Sequence, residues 1–205
     1  EGLAGHCLFF RGRSILSINL QTVKSSMPIE NERKFVLDDD GGLEGRIGAA
    51  PGVERSVLQQ AYLDSVGVRI RSVEAPDGTR HVFTYKCTVD GQVVEIETAI
   101  SASDFARLWT RRQQSLCKVR YSWPDGDFHW DVDFFKRDDG GTYFAQAEVE
   151  MPEGETEPPP LPPLLSGYLL ATVPAGDSRF ASKYLTDQVH AARLLADIRQ
   201  KGRIE

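Results

Sequence analysis

Most of the chain alternates apolar and polar residues with the period of two that is typical of β-strands. The alternation runs from Met27 to Met151, and turns such as Asp90-Gly91 separate several of its segments. The eight predicted strands are Ile29–Leu37, Gln59–Asp64, Val68–Val73, His81–Val89, Gln92–Ile100, Cys117–Trp123, Phe128–Lys136 and Tyr143–Met151. Strands joined mainly by hairpins favour a mainly β fold of the α+β class, an eight-stranded closed antiparallel barrel with a few flanking helices.

Two segments show a helical pattern instead. Ser103 is a good N-cap, and Phe105, Leu108, Trp109 and Leu116 follow it roughly on one face. The second helix ends the chain, with an apolar face predicted from Leu185, Val189, Ala192 and Leu195. Between the last strand and this helix lies a proline-rich stretch, PEGETEPPPLPPLL, which cannot join a sheet.

The first 26 residues differ in character from the rest. They show no clean period beyond a short apolar stretch around Ile15 to Leu20, and they do not make a convincing signal peptide. We expect residues 1–26 to be an extension outside the fold and residues 27–205 to form one domain. The alternative is an extra strand that packs on this domain.

Composition narrows the classes of function. The 205 residues contain 24 Lys and Arg against 30 Asp and Glu, and this net charge of −6 argues against a broad nucleic-acid surface. No stretch approaches the roughly 18 apolar residues of a membrane span. The three cysteines are too few and too scattered for a disulfide framework, which favours a reducing, cytoplasmic location.

The strongest chemical signal is a set of like-charge pairs at positions i and i+2 of the predicted strands. Because i and i+2 point to the same face of a strand, each pair marks a charged face opposite an apolar one. The six pairs are Glu30/Glu32, Arg69/Arg71, Glu95/Glu97, Lys118/Arg120, Asp131/Asp133 and Glu148/Glu150, with Lys34 and Lys86 as further cations on the same strands.

One interpretation of these pairs is a one-sided sheet whose charged face meets solvent. If the barrel instead closes with this face inward, the cations need a polyanion and the carboxylates need a metal. Carboxylates without supporting His or Cys favour hard cations such as Mg²⁺ or Mn²⁺, and a metal–polyphosphate complex would satisfy both sets of charges. The sequence contains no phosphate-binding P-loop, HExxH or GxSxG motif that would indicate another chemistry.

Eight short motifs in order resemble the CYTH, or triphosphate tunnel metalloenzyme, superfamily. They begin with ENERK, which matches the ExExK signature, and they cover nearly all of residues 28–186. The motifs are Glu30–Lys34, Val68–Arg71, Thr84–Lys86, Glu95–Glu97, Lys118–Tyr121, Trp130–Phe135, Ala147–Glu150 and Asp177–Ser182.

The resemblance implies an eight-stranded tunnel that hydrolyses or rearranges triphosphates with Mg²⁺ or Mn²⁺, and it implies roles for individual residues. The implied metal ligands are Glu30, Glu32, Glu148 and Glu150. The implied triphosphate-binding residues are Lys34, Arg69, Arg71, Lys86, Lys118, Arg120 and Arg179. Glu95, Glu97, Asp131 and Asp133 would orient water or a second metal in catalysis.

Within this resemblance we expect a triphosphatase whose substrate is inorganic tripolyphosphate. Thiamine or nucleoside triphosphate hydrolysis, adenylate cyclisation and noncatalytic binding of a phosphorylated ligand remain alternatives. The expected partner is a small triphosphate-containing molecule, with no nucleic acid and no membrane, and the protein is expected to be a monomer or a homodimer.

Overall fold

One antiparallel sheet of nine strands dominates the structure, a computed structural model that describes residues 31–89, 92–152 and 154–201. The spatial order of the strands is β5-β4-β3-β2-β6-β7-β8-β1-β9. The strands are β1 (Glu32–Leu37), β2 (Glu54–Leu63), β3 (Val68–Ala75), β4 (Gly78–Val89), β5 (Gln92–Ile100), β6 (Arg112–Asp125), β7 (Phe128–Lys136), β8 (Thr142–Glu150) and β9 (Leu169–Thr172).

Within the described residues, five short or medium helices accompany the sheet, together with one 3₁₀ turn at Ser178–Phe180. The helices are α1 (Leu43–Gly48), α2 (Ala102–Trp109), α3 (Pro163–Ser166), α4 (Ser182–Leu185) and α5 (Gln188–Lys201). In the described part of the chain, none of the helices combines the length and apolar character that crossing a bilayer requires.

The predicted mainly β, antiparallel architecture is confirmed, but the predicted closed barrel is wrong. Strand β1 pairs with β8 on one edge and with β9 on the other, so neither edge remains for β5. Within the described residues β5 and β9 are the two free edges of an open sheet. Strand β9 has only four residues and no alternation of its own, which is why the sequence did not predict it.

The other strands agree well with the alternation pattern. Strands β5 and β7 have the predicted bounds, whereas β2 and β6 extend further at one or both ends. The first two residues of the first predicted strand, Ile29 and Glu30, lie outside the described residues, as do residues 1–26.

The outer face of the sheet carries the main hydrophobic core. Val119 and Tyr121 of β6 and Val132 and Phe134 of β7 point to this face. Helix α1 covers it with side chains such as Leu43, and α3 contributes Leu165. The odd-numbered positions of β6 therefore build the core, and Lys118 and Arg120 between them point to the inner face.

One end of the inner face is filled by the C-terminal helices. Phe135 and Phe144 pack there against Phe180, Leu185 and Leu194. The Tyr143 hydroxyl donates a hydrogen bond to the Leu185 carbonyl at 2.7 Å, which ties this helical segment to β8. The inner face is therefore apolar where the helices cover it and charged beyond them.

The buried face of the C-terminal helix consists of other residues than predicted. Leu185 belongs to α4, and Asp187 then caps a new helix by accepting hydrogen bonds from the backbone N–H of Val189 and of His190. This break resets the helical phase, so Ala191 and Leu194 are buried and Val189 is 60% exposed.

The N-cap of helix α2 lies two residues before the predicted one. The Ser101 hydroxyl, not Ser103, accepts a hydrogen bond from the Asp104 N–H at 3.1 Å. The helix buries none of its side chains, and Phe105 stacks on His81 of β4. Leu116, predicted on this helix, lies in β6.

Candidate active site

A cavity of about 670 Å³ runs along the charged part of the inner face. Each of the strands β1 to β8 contributes at least one lining residue, from Glu32 on β1 to Glu95 on β5. The sheet therefore curls far enough to surround one space, although it does not close.

This cavity gathers most of the predicted site residues. Twelve of them line it: Glu32, Lys34, Arg69, Arg71, Lys86, Glu95, Glu97, Lys118, Arg120, Asp131, Glu148 and Glu150. Asp133 is fully buried beneath two of the lining cations, and Glu30 lies outside the described residues.

Asp133 holds the two cations of β6 side by side. It accepts hydrogen bonds from Arg120 at 2.7 Å on both carboxylate oxygens and a further one from the Lys118 ammonium. Burial alone would raise the pKa of Asp133, but Arg120 and Lys118 hold it below its ordinary value. Because Asp133 lies under the cavity, its position agrees better with a role in holding Lys118 and Arg120 in place than with the predicted role of orienting water.

Lys118 is the most deeply buried cation of the site, with 2% of the residue exposed. Burial is the main reason that the pKa of Lys118 is lowered to about 8, and the adjacent Arg120 lowers it further. The attraction of Asp133 opposes these effects without cancelling them. An additional anion in the cavity would therefore stabilise the protonated ammonium.

Glu148 on β8 connects β6 with β1. It accepts a hydrogen bond from Lys34 at 2.6 Å and another from Arg120 at 3.1 Å. Burial by itself raises the pKa of Glu148, but Lys34, Arg120 and Lys118 together hold it well below the ordinary value. Glu148 is therefore a carboxylate anion that is shared between two cations.

A second group of ion pairs lies on the opposite wall. Arg69 on β3 donates to Glu95 at 2.6 Å and to Glu97 at 3.2 Å, and Lys86 pairs with Glu95 at 3.0 Å. Arg71 donates to the Gln60 side chain at 3.2 Å. Burial, followed by repulsion from Arg69, lowers the pKa of Arg71 to about 10.

The predicted metal ligands are only partly assembled. Glu32 and Glu150 are direct register partners on β1 and β8, and both line the cavity beside Glu148. Among the described residues, no three or more His, Cys, Asp or Glu side chains are placed to hold a metal together. The donor set itself, carboxylates with no His or Cys, fits a hard divalent cation.

Arg179 is the predicted binding residue that the structure places elsewhere. Its guanidinium pairs with Asp177 at 2.6 Å and is largely exposed, and it does not line the cavity. The same segment contributes Lys183, the residue directly after the Asp177–Ser182 motif, to the cavity lining. The sequence did not predict Lys183 as a site residue because it lies on α4, where no strand alternation indicates which side chains face the cavity.

Tyr62 is a second lining residue that was missed. It lies on β2 at position i+2 from Gln60, whose side chain donates a hydrogen bond to the Tyr62 hydroxyl at 2.6 Å. The signal was present, since both polar residues share a face of the strand, but neither is charged.

A smaller cavity of about 500 Å³ adjoins the main one. The two cavities share Arg71, Arg120, His129 and Asp131. The smaller cavity continues toward the turn between β3 and β4, where Pro76 and Asp77 line it.

No protein-family model matches this chain, and no curated protein matches it. Several solved structures are similar to it. The inorganic triphosphatase NE1496 has 23% identity and a TM-score of 0.49, over 78% of this chain and 95% of that one. A putative adenylate cyclase from Vibrio parahaemolyticus has 18% identity and a TM-score of 0.43, over 62% of this chain and 78% of that one.

A putative adenylate cyclase from Bacillus halodurans has 15% identity and a TM-score of 0.40, over 60% of this chain and 81% of that one.

Proposed function

We propose that this protein hydrolyses a triphosphate, with inorganic tripolyphosphate as the substrate and diphosphate and phosphate as the products. The observation that carries the proposal is the convergence of cations from four strands, β1, β3, β4 and β6, on one cavity. These cations are Lys34, Arg69, Arg71, Lys86, Lys118 and Arg120.

The burial of these cations indicates what kind of ligand they serve. Lys34, Arg69 and Arg120 expose less than a fifth of their side chains, and Lys118 exposes almost none. A buried charge is costly unless it is paired, and carboxylates pair these four cations in the structure. Phosphate oxygens accept the same charge-assisted hydrogen bonds, so a triphosphate can replace the carboxylates as partner.

The proposal includes membership of the CYTH, or triphosphate tunnel metalloenzyme, superfamily. The ordered motifs support it, and so does the placement of residues from all eight motifs around one cavity. The open sheet departs from the expected closed tunnel, but β1 and β5 still line the same space.

We also propose that Mg²⁺ or Mn²⁺ assists the reaction. Glu32 and Glu150 would hold it, together with Glu30 and with Glu148 once that carboxylate is released from its cations. A divalent cation at this place supplies charge neutralisation and polarisation of a phosphoryl oxygen.

The chain's own residues would bind and orient the substrate. Lys118 and Arg120, fixed by Asp133, offer hydrogen-bond donors from one wall, and Arg69 and Arg71 offer them from the other. Phosphoryl transfer depends mainly on positioning and on neutralising charge, which rigid donors on opposite walls can provide. Glu95, Glu97 and Asp131 are acceptors that could orient the attacking water.

A substrate panel tests this proposal. Inorganic triphosphate, ATP and thiamine triphosphate are incubated separately with the protein and Mg²⁺ or Mn²⁺, and phosphate and diphosphate are both measured. Release of phosphate and diphosphate from inorganic triphosphate supports the proposal. If only ATP or thiamine triphosphate is hydrolysed, inorganic triphosphate is not the substrate. Diphosphate with a cyclic nucleotide from ATP would indicate a cyclase, and binding without any product would indicate a noncatalytic binder.

A further inference from the structure

Lys34 occupies an unusual position among the predicted metal ligands. Its ammonium lies 2.6 Å from a Glu148 oxygen and 2.8 Å from a Glu32 oxygen. Both carboxylates are among the metal ligands that the family resemblance implies. The ammonium therefore already fills the space between them.

The register of the strands explains this arrangement. Lys34 lies directly opposite Glu148 in the pairing of β1 with β8, and Glu32 lies opposite Glu150. Because Glu32 and Lys34 are two residues apart, they share the inner face. A one-residue slip would turn all of these side chains to the outer face, so the register fixes the contact.

The charges also favour the contact while no ligand is bound. Two carboxylates beside each other repel, and a cation between them removes that cost. The Lys34 ammonium, 2.6 Å from a Glu148 oxygen and 2.8 Å from a Glu32 oxygen, is that cation.

We propose that Lys34 is an internal substitute for the divalent cation, held between Glu32 and Glu148 until a metal displaces it toward the phosphate chain. The inference rests on the proposed function, because it assumes that these carboxylates bind the metal. Displacement gives the carboxylates to the metal and the ammonium to a phosphate oxygen. Metal and triphosphate therefore each favour the binding of the other, as linkage requires.

Replacement of Lys34 by methionine tests this inference with Mn²⁺ alone. The methionine has a similar shape but no charge, so Glu32 and Glu148 lose the cation that competes with the metal. The expected result is counterintuitive for a binding-site residue. Calorimetry without any phosphate should show Mn²⁺ affinity about tenfold or more higher than in the wild type, which corresponds to about 1.4 kcal/mol.

Lys183→Met is the matched control, since it removes the same charge from the same cavity lining but lies on α4 instead of β1. Its Mn²⁺ affinity should stay near the wild-type value. Thermal unfolding with and without Mn²⁺ gives a second measurement, in which Mn²⁺ should stabilise Lys34→Met more than the wild type. If Lys34→Met is poorly folded, Lys34→Gln is measured in its place.

An unchanged or weaker Mn²⁺ affinity in the Lys34 variant would overturn the inference, as would an equal gain in the Lys183 control. The inference would also be overturned if neither the wild type nor either variant binds Mn²⁺. The substrate panel remains independent: triphosphate hydrolysis in the wild type would show that the proposed function stands even when the role of Lys34 does not.

Discussion

At the scale of single residues, the site depends on buried charges that compensate one another. Asp133 is fully buried and pairs with both Lys118 and Arg120. Removing one partner of such a pair leaves a buried charge without compensation, which costs more than the pair itself contributes.

Asp133→Asn should therefore lower the free energy of unfolding by about 3–5 kcal/mol. The amide keeps the shape of the side chain but cannot neutralise Lys118. Urea denaturation measures the change, and Asp131→Asn is the control because Asp131 is more exposed and pairs mainly with Arg120. Equal, small effects of both variants would show that Asp133 does not stabilise the buried cations.

The pKa of Glu148 predicts how stability depends on acid. Its folded-state pKa lies well below the ordinary value of 4.5, because Lys34, Arg120 and Lys118 stabilise the anion. The unfolded chain therefore takes up the proton first, and the stabilisation present above pH 4.5 is lost as the pH falls below it.

Between pH 4.5 and pH 3 the free energy of unfolding should fall more steeply in the wild type than in Glu148→Gln. Chemical denaturation at several pH values measures both slopes, and Glu157→Gln, an exposed site, should keep the wild-type slope. Parallel slopes in all three proteins would contradict the assignment of Glu148 as a stabilised anion.

At the scale of elements, the junction between α4 and α5 decides which residues fill the end of the inner face. Asp187 caps α5, and this helix places Ala191 and Leu194 against the apolar cluster beside the cavity. The position of the charged cavity along the sheet therefore depends on a helix start that lies outside the strands.

Asp187→Ala should lower the free energy of unfolding by about 0.5–2 kcal/mol, the usual cost of losing an N-cap. Thermal or urea unfolding measures this change. Asp197→Ala, in the interior of the same helix, provides the control and should have a smaller effect. A cap variant as stable as the control would mean that the hydrogen bonds of Asp187 do not fix the start of α5.

At the scale of the whole molecule, the curl of the sheet makes one site from two separate groups of ion pairs. Arg69 belongs to the wall formed by β3 to β5, and Arg120 belongs to the wall formed by β6 to β8. If a triphosphate spans the cavity, both walls contribute to its affinity.

Arg69→Met should weaken the binding of inorganic triphosphate by about tenfold or more, since a hydrogen bond to a charged group contributes roughly 1.5–3 kcal/mol. Arg179→Met should leave the affinity unchanged, because Arg179 lies outside the cavity. Isothermal calorimetry compares the two variants. A loss of affinity in Arg179→Met, without one in Arg69→Met, would place the ligand elsewhere on the molecule.

Much of the candidate site could be predicted from the sequence because strand geometry is local. Charges at i and i+2, as in Lys118 and Arg120, share a face wherever the strand lies, and the apolar residues between them face the core. Arg179 and Lys183 show the limit of this reasoning. They lie on a turn and a short helix, where spacing along the chain does not determine which side chain reaches the cavity.

The sequence by itself determined the alternating strands, the separation of charged from apolar faces and the types of side chain in the site. Only the tertiary structure decided that β9 takes the second edge of β1 and leaves the sheet open. It also decided that Lys34 lies between Glu32 and Glu148. The physical reason is that a side chain's face follows from its own strand, whereas its partners depend on which strands pair and in which register.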